Sequence, residues 1–276
     1  MNQLYHTVSI SKQAIHQYAV RQAEFDCRLE QLMLEAEELR EAHPGCGVEK
    51  MYHILKPDFI GRDRFVEVFM ALGFRLRRKK NYRRTTIASS IYYPNLIKGL
   101  EISAPSVVWQ SDITYIRLQD HYYYAVFILD VFTKKIVGYQ VSDHMRATAN
   151  VRALGMALKE NHPPEIHHSD RGSQYIYHVY VKILKDLGCN ISMGLSAQDN
   201  AYVERFNRTI KEEYLSYWKP KNINQLRCCV GKAVTNYNFT RAHESLDYQT
   251  PNEFEIDLKR SVKKKTITIF NNEINT

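Results

Sequence analysis

The sequence predicts an α/β protein: a five-stranded mixed sheet flanked by helices, preceded by an all-helical region with a helix-turn-helix-like outline. Two observations carry this. Near residue 106 the texture shifts from helix-forming stretches to runs of β-branched and aromatic residues, "SVVWQSDITYIRL", "HYYYAVFILDVFT" and "KKIVGYQVSD". Beyond them, helical and strand patterns alternate to about residue 213.

Taken in order, residues 1–42 read as helical, with "HTVSISKQAIHQYAVRQ" amphipathic and 23–42 rich in Glu, Leu and Ala. After His43-Pro-Gly, a short helix carries Val48, Met51, Tyr52 and Leu55. Pro57-Asp58 breaks it, and a second helix presents Phe65, Val68, Phe69 and Leu72 before Gly73 closes it. Two short helices around a sharp break, followed by cations, give a helix-turn-helix outline that any small helical bundle shares. A linker spans 85–105. The three β-rich runs are split by Gln119-Asp120 and Thr133-Lys134, short enough for hairpins. A helix at 146–160, the strand "EIHHS", a helix at about 175–187, the strand "NISM", a loop and a helix from about Asn200 follow. Three antiparallel strands, helix, strand, helix, strand, helix is a ribonuclease-H-like order, and other α/β orders fit it nearly as well. A further helix covers about 222–238, and the tail has an alternating "TITIF".

Charge narrows the partner. The net charge of +8 is concentrated in "RLRRKKNYRR" (75–84), with seven cations in ten residues, and "KRSVKKK" (259–265), with five in seven. Such runs repel themselves and attract a polyanion, nucleic acid above all, or else form solvated linkers and tails. No run reaches the length of a membrane span and no signal-peptide pattern opens the chain, so the cytoplasm is the expected place of work. Cys27, Cys46, Cys189, Cys228 and Cys229 include no CxxC pair and read as reduced, buried thiols; His43 and Cys46 have no second ligand pair for zinc.

Candidate chemistry lies in the acids. In "SAQDNAYVERFNRTIKEE" (196–213), Val203, Phe206, Ile210 and Tyr214 form one stripe at helical spacing. Asn200, Glu204, Asn207, Arg208 and Lys211 share a separate polar face, which suits a metal and a phosphate or a solvated surface equally. Asp199 stands at the expected N-cap, and Glu212 and Glu213 are expected to face solvent. Asp112 lies in the first core strand and Asp170 ends the fourth. In the proposed order these strands are neighbours, so both aspartates reach one edge while the helix brings Glu204 to them. Three carboxylates at one point repel one another unless a cation lies between them, and oxygen ligands of this kind suit Mg²⁺ or Mn²⁺. A strand-end aspartate is also commonly a cap, and Asp130 is read that way.

Motifs add a resemblance. "WQSDITYI" (109–116), "HHSDRGSQY" (167–175) and "DNAYVERFNRTIKEE" (199–213) resemble the DDE transposases of bacterial insertion sequences, of the second-reading-frame (OrfB) type with a retroviral-integrase-like core. "YNFTRAHESLDYQTP" (237–251) is similar to the closing motif of that group, and the resemblance covers roughly residues 4–256. It implies that Asp112, Asp170 and Glu204 are a catalytic, metal-binding triad, with two Mg²⁺ or Mn²⁺ ions expected once DNA is bound. The implied reaction is strand cleavage and transfer at the ends of an element into target DNA. It places Asn200 and Lys211 near the metal site or the DNA terminus, with Arg208 beside them. Arg75, Arg77, Arg78, Lys79, Lys80, Arg83 and Arg84 of the basic run are expected to bind DNA. His168 is expected to orient its neighbours and His243 to pack.

The implied domains are a helical segment (1–42), a helix-turn-helix-like DNA-binding region ending in the basic run (43–84), the linker, an integrase-like catalytic core with C-terminal helices (106–258) and a basic tail (259–276). A homo-oligomer, at least a dimer on DNA, association with the bacterial nucleoid, and a partner made by an upstream reading frame are implied as well. One departure stands out: 33 residues separate Asp170 from Glu204, slightly fewer than the family usually carries, the loss falling in "SMGLSAQDN". A hydrolytic nuclease of the same fold and a non-catalytic DNA-binding regulator are the competing readings.

Overall fold

In the computed structural model, which describes residues 12–76, 92–194, 197–260 and 266–269, the chain divides into two units at Leu76/Arg77. The first unit is helical: α1 (Lys12–Ala42), α2 (Val48–Leu55) and α3 (Arg62–Ala71). Phe65 and Phe69, one turn apart on α3, stack with centroids 4.0 Å apart and are wholly buried against Met51, Leu32 and Ala36. Gly73 ends the helix as its composition predicts. Its φ of +92° lets Phe74 N–H return to the Phe69 carbonyl at 3.0 Å.

In the second unit, β2 (Val108–Leu118), β3 (His121–Asp130), β4 (Ile136–Ser142), β5 (Ile166–Ser169) and β6 (Asn190–Met193) form a five-stranded sheet in the order β4-β3-β2-β5-β6. The first three run antiparallel through tight connections, and β5 and β6 lie parallel to β2. This is the ribonuclease-H-like order that the element pattern predicts. Both faces of the sheet are covered, which is why "AVFIL" on β3 is continuously apolar rather than alternating. Phe127 and Leu129 join a core built with Val203, Phe206, Leu226 and Val230 on one side. Val126 and Ile128 join Ala153, Leu154 and Leu184 on the other.

The helices follow that division. α4 (Thr148–Glu160) and α5 (His178–Asp186) cover the second face. α4 seats its alanine side so closely on β4 that a Cβ at Gly138 would lie 2.3 Å from the Ala153 carbonyl oxygen. α6 (Ala201–Thr209) covers the first face and continues through a π-helical turn, Ile210–Leu215, and a last α-turn, Ser216–Trp218. α7 (Ile223–Phe239) and α8 (Pro251–Arg260) complete that layer. Asn222 caps α7 by accepting the Gln225 N–H at 2.9 Å. Two short strands, β1 (Glu101–Ile102) and β7 (Ile267–Thr268), pair antiparallel and join the stretches read as linker and tail.

Among the described residues, no helix is long and apolar enough to cross a membrane. All five thiols are free. Cys46 and Cys189 are buried, but Cys27 and Cys228 are exposed, against the expectation that all would lie inside.

Candidate active site

Strand pairing brings the two aspartates level. In the parallel β2–β5 ladder Ser111 pairs with Ser169, so Asp112 and Asp170 each stand one residue beyond the same rung. Side chains alternate along β2. Ser111 turns to the α5 side, where its hydroxyl meets the Tyr175 hydroxyl at 3.0 Å. Gln110 and Asp112 turn to the α6 side.

There they fasten the helix that carries Glu204. Gln110 donates through Nε2 to the Asp199 carbonyl at 3.1 Å and accepts from the Val203 N–H at 3.4 Å. Asn200 Nδ2 donates to the Ser111 carbonyl at 3.0 Å. Further along, Asn207 Nδ2 donates to Asp112 Oδ2 at 2.6 Å. Asn207 lies one turn beyond Glu204, on the face that periodicity marked as polar. The apolar stripe Val203, Phe206, Ile210 and Tyr214 fills the core as the spacing predicts.

Electrostatics tie the three carboxylates together. Burial first, and then the charges of Asp170 and Glu204, push the Asp112 carboxyl up to about 8, against the pull of the Ile113 backbone N–H and Lys211. Asp170 is raised by burial, opposed by the Gly172 N–H that reaches its Oδ1 at 3.0 Å. Glu204 is raised by burial and by Asp170, with Arg208 pulling the other way. Lys211 is half-buried, and burial lowers its pKa while Asp112 raises it. Asp112 therefore feels the charge of both other expected acids, and Glu204 that of Asp170. Among the described residues, no three His, Cys, Asp or Glu side chains stand close enough to cage an ion as they are.

Other sequence candidates divide. Arg208 is exposed beside Glu204, and Arg75 is exposed after α3. Arg77, Arg78, Lys79, Lys80, Arg83 and Arg84 lie outside the described residues. Asn200 is 2% exposed, with its amide nitrogen spent on β2, so it fastens the helix start from inside. His168 Nδ1 meets the Ser192 hydroxyl at 2.8 Å between β5 and β6, and burial lowers its pKa to about 4. Asp130 organises a turn, its carboxylate accepting from the backbone N–H groups of Ser106 and Thr133.

Two helix-end expectations need correction. The N-cap position of α6 is Asn200, because Asp199 belongs to a preceding 3₁₀ turn and is buried. Glu213 does not face solvent. Its carboxylate takes a two-pronged pair from Arg241 Nε and Nη2, each at 2.7 Å. Arg241 Nη1 also reaches His243 Nδ1 at 3.3 Å, and His243 Nε2 reaches the Tyr237 carbonyl at 3.3 Å. The closing motif thus grips the π-helical turn just past Lys211. π-turns interrupt a helix at a cost and occur often at functional sites.

Integrase core domain profiles match residues 103–197 and residues 186–251. The first span holds Asp112 and Asp170, and the second holds Glu204. The chain is 34% identical over 203 residues to the insertion element IS600 uncharacterized 31 kDa protein of Shigella sonnei, covering 71% of this chain and 75% of that protein. It is 34% identical over 182 residues to the transposase for insertion sequence element IS904 of Lactococcus lactis, covering 64% and 71%. With the transposase for insertion sequence element IS629 of Shigella sonnei it shares 32% identity over 224 residues, covering 78% and 75%.

Proposed function

The chain belongs to the insertion-sequence transposases, which are polynucleotidyl transferases, and from that premise we propose that Asp112, Asp170 and Glu204 are its catalytic triad for cleaving and transferring DNA strands at element ends. One observation carries the assignment: across β2, β5 and α6, the charges of Asp170 and Glu204 both raise the Asp112 pKa, and the charge of Asp170 raises that of Glu204. Structural acids such as Asp130 are instead satisfied by backbone donors.

The donor set fits a hard divalent cation. It offers carboxylate oxygens alone, with Asp112 pressed by the charges of the other two, as suits Mg²⁺ or Mn²⁺. Bound to these acids with DNA present, two such ions would activate the attacking oxygen and stabilise the leaving one. The chain's own groups do the rest. Asn207 fixes the Asp112 carboxylate, the Gly172 N–H fixes Asp170, and Gln110 and Asn200 hold the helix that presents Glu204. Lys211 and Arg208 supply cations for the phosphates nearest the site.

The rest of the DNA contact falls to Arg75, Arg77, Arg78, Lys79, Lys80, Arg83 and Arg84, next to the helical unit of α1–α3. At least two chains act together, because two element ends must be joined to one target. A product of an upstream reading frame is a further partner, and the work is done on the bacterial nucleoid. Incubating the protein with DNA bearing the element's ends, target DNA and Mg²⁺ tests this. Joined strands support transfer, whereas short fragments without joined products would reduce it to a hydrolytic nuclease.

A further inference from the structure

Beside Asp170 lies an arrangement that the catalytic account does not use. Residues 94–96 are tied to the edge strand β6: Met193 N–H donates to the Pro94 carbonyl at 3.3 Å, and Leu96 N–H donates to the Ser192 hydroxyl at 2.9 Å. Tyr93 packs into the core beneath, and Ile97 is fully buried. This anchoring carries Tyr92 past the C-terminal end of β6, the same edge at which Asp170 leaves β5. Tyr92 is 59% exposed. Arg171, next to Asp170 in sequence, covers one side of the ring, its guanidinium carbon 4.2 Å from the centroid. Arg171 Nε is shielded from solvent and has no hydrogen-bond acceptor among the described residues.

Neither half explains itself as structure. A cation–π contact on an exposed ring does not replace the acceptor that a desolvated guanidinium N–H lacks. A fixed aromatic ring with one open face, a cation wanting an oxygen acceptor and an adjacent catalytic carboxylate match what a nucleic-acid strand presents: a base to stack and a phosphate to bind. Resting on the strand-transferase reading above, we infer that Tyr92 and Arg171 form a platform for single-stranded DNA next to the reacting phosphodiester. One base stacks on the open face of Tyr92 and the neighbouring phosphate accepts from Arg171. Unstacking a terminal base there would hold the strand end against Asp170.

The test uses the full chain and a hairpin duplex with a short single-stranded 3′ tail. 2-Aminopurine is placed at successive tail positions, and a chelator is present so that the strand stays intact. Wild-type protein should quench fluorescence at one tail position. Tyr92→Ala should abolish that quenching and weaken binding about 10- to 100-fold, the scale of one stacked base. Tyr92→Phe should behave like wild type, and Arg171→Lys should weaken binding of the tailed hairpin. Removing the base at the quenched position should make wild type and Tyr92→Ala equal, and a blunt hairpin should show no difference between them. Equal losses for Tyr92→Ala on tailed, abasic and blunt hairpins, or no loss at all, would overturn the platform. Failure of the transferase reading is separately visible: quenching at one position with no Mg²⁺-dependent cleavage leaves the platform standing and removes the transferase.

Discussion

Asn207 donates to Asp112 at 2.6 Å, linking a helix to a strand 95 residues earlier and fixing the carboxylate that the other two acids press upon. A hydrogen bond to a charged group is worth about 1.5–3 kcal/mol. Asn207→Ala should therefore lower Mg²⁺-dependent cleavage by roughly 10- to 100-fold, with DNA binding retained. Asn207→Asp, which sets a fourth carboxylate against Asp112, should be worse. Single-turnover rates at saturating Mg²⁺ measure this, and an Asn207→Ala rate equal to wild type would remove Asn207 from the site.

The Glu213–Arg241 fork is nearly buried, with side chains 20% and 8% exposed. Removing one partner leaves a buried charge, at a cost of about 3–5 kcal/mol. Glu213→Leu and Arg241→Met should each lose that much unfolding free energy in denaturant titrations. The double variant should lose less than the sum, because neither charge is stranded. Strict additivity would show that the pair is not coupled.

Gly194 opens the loop that leads to Glu204. A Cβ there would lie 2.6 Å from Asp199 Cβ and 3.2 Å from His168 Nε2. Gly194→Ala must push the 3₁₀ turn ahead of α6, so it should cost about 1–3 kcal/mol of stability. It should also slow cleavage by more than that stability loss explains. Thermal denaturation beside cleavage rates separates the two effects, and an unchanged rate would show that the turn does not set the position of Glu204.

Stability should respond to pH on two sides. Asp112 is raised from 3.8 to about 8, so its contribution is fully present below about pH 4 and is lost as pH rises through 8. His167 and His168 are lowered from 6.5 to about 3 and about 4, so theirs is present above pH 6.5 and lost as pH falls through those values. With chelator present, the melting temperature should fall from neutral pH toward 8, and Asp112→Asn should flatten that fall. A wild-type profile flat over that range would contradict the strain assigned to Asp112.

Much of this is written in local patterns. Runs of β-branched and aromatic residues mark β2, β3 and β4. The stripe from Val203 to Tyr214 places Glu204 and Asn207 together on the other side of the helix. What escaped depends on distant partners. Glu213 reads as a surface charge because Arg241 lies 28 residues further on. Nothing in "IKEEYL" announces the π-turn at Ile210–Leu215. Asn200 sits on the polar face by periodicity, yet the chain crosses close over β2 and buries it. The alternation of "TITIF" hints at β7, but its pairing with β1 joins segments far apart in sequence that local pattern cannot match.

The central claim rests on three carboxylates acting as one unit, and one assay tests it most directly: Mg²⁺-dependent joining of element-end DNA to target by wild type, Asp112→Asn, Asp170→Asn and Glu204→Gln, with DNA affinity measured alongside. Each single variant should abolish joining while affinity stays near wild type. Joining that survives any one of these substitutions would contradict the triad.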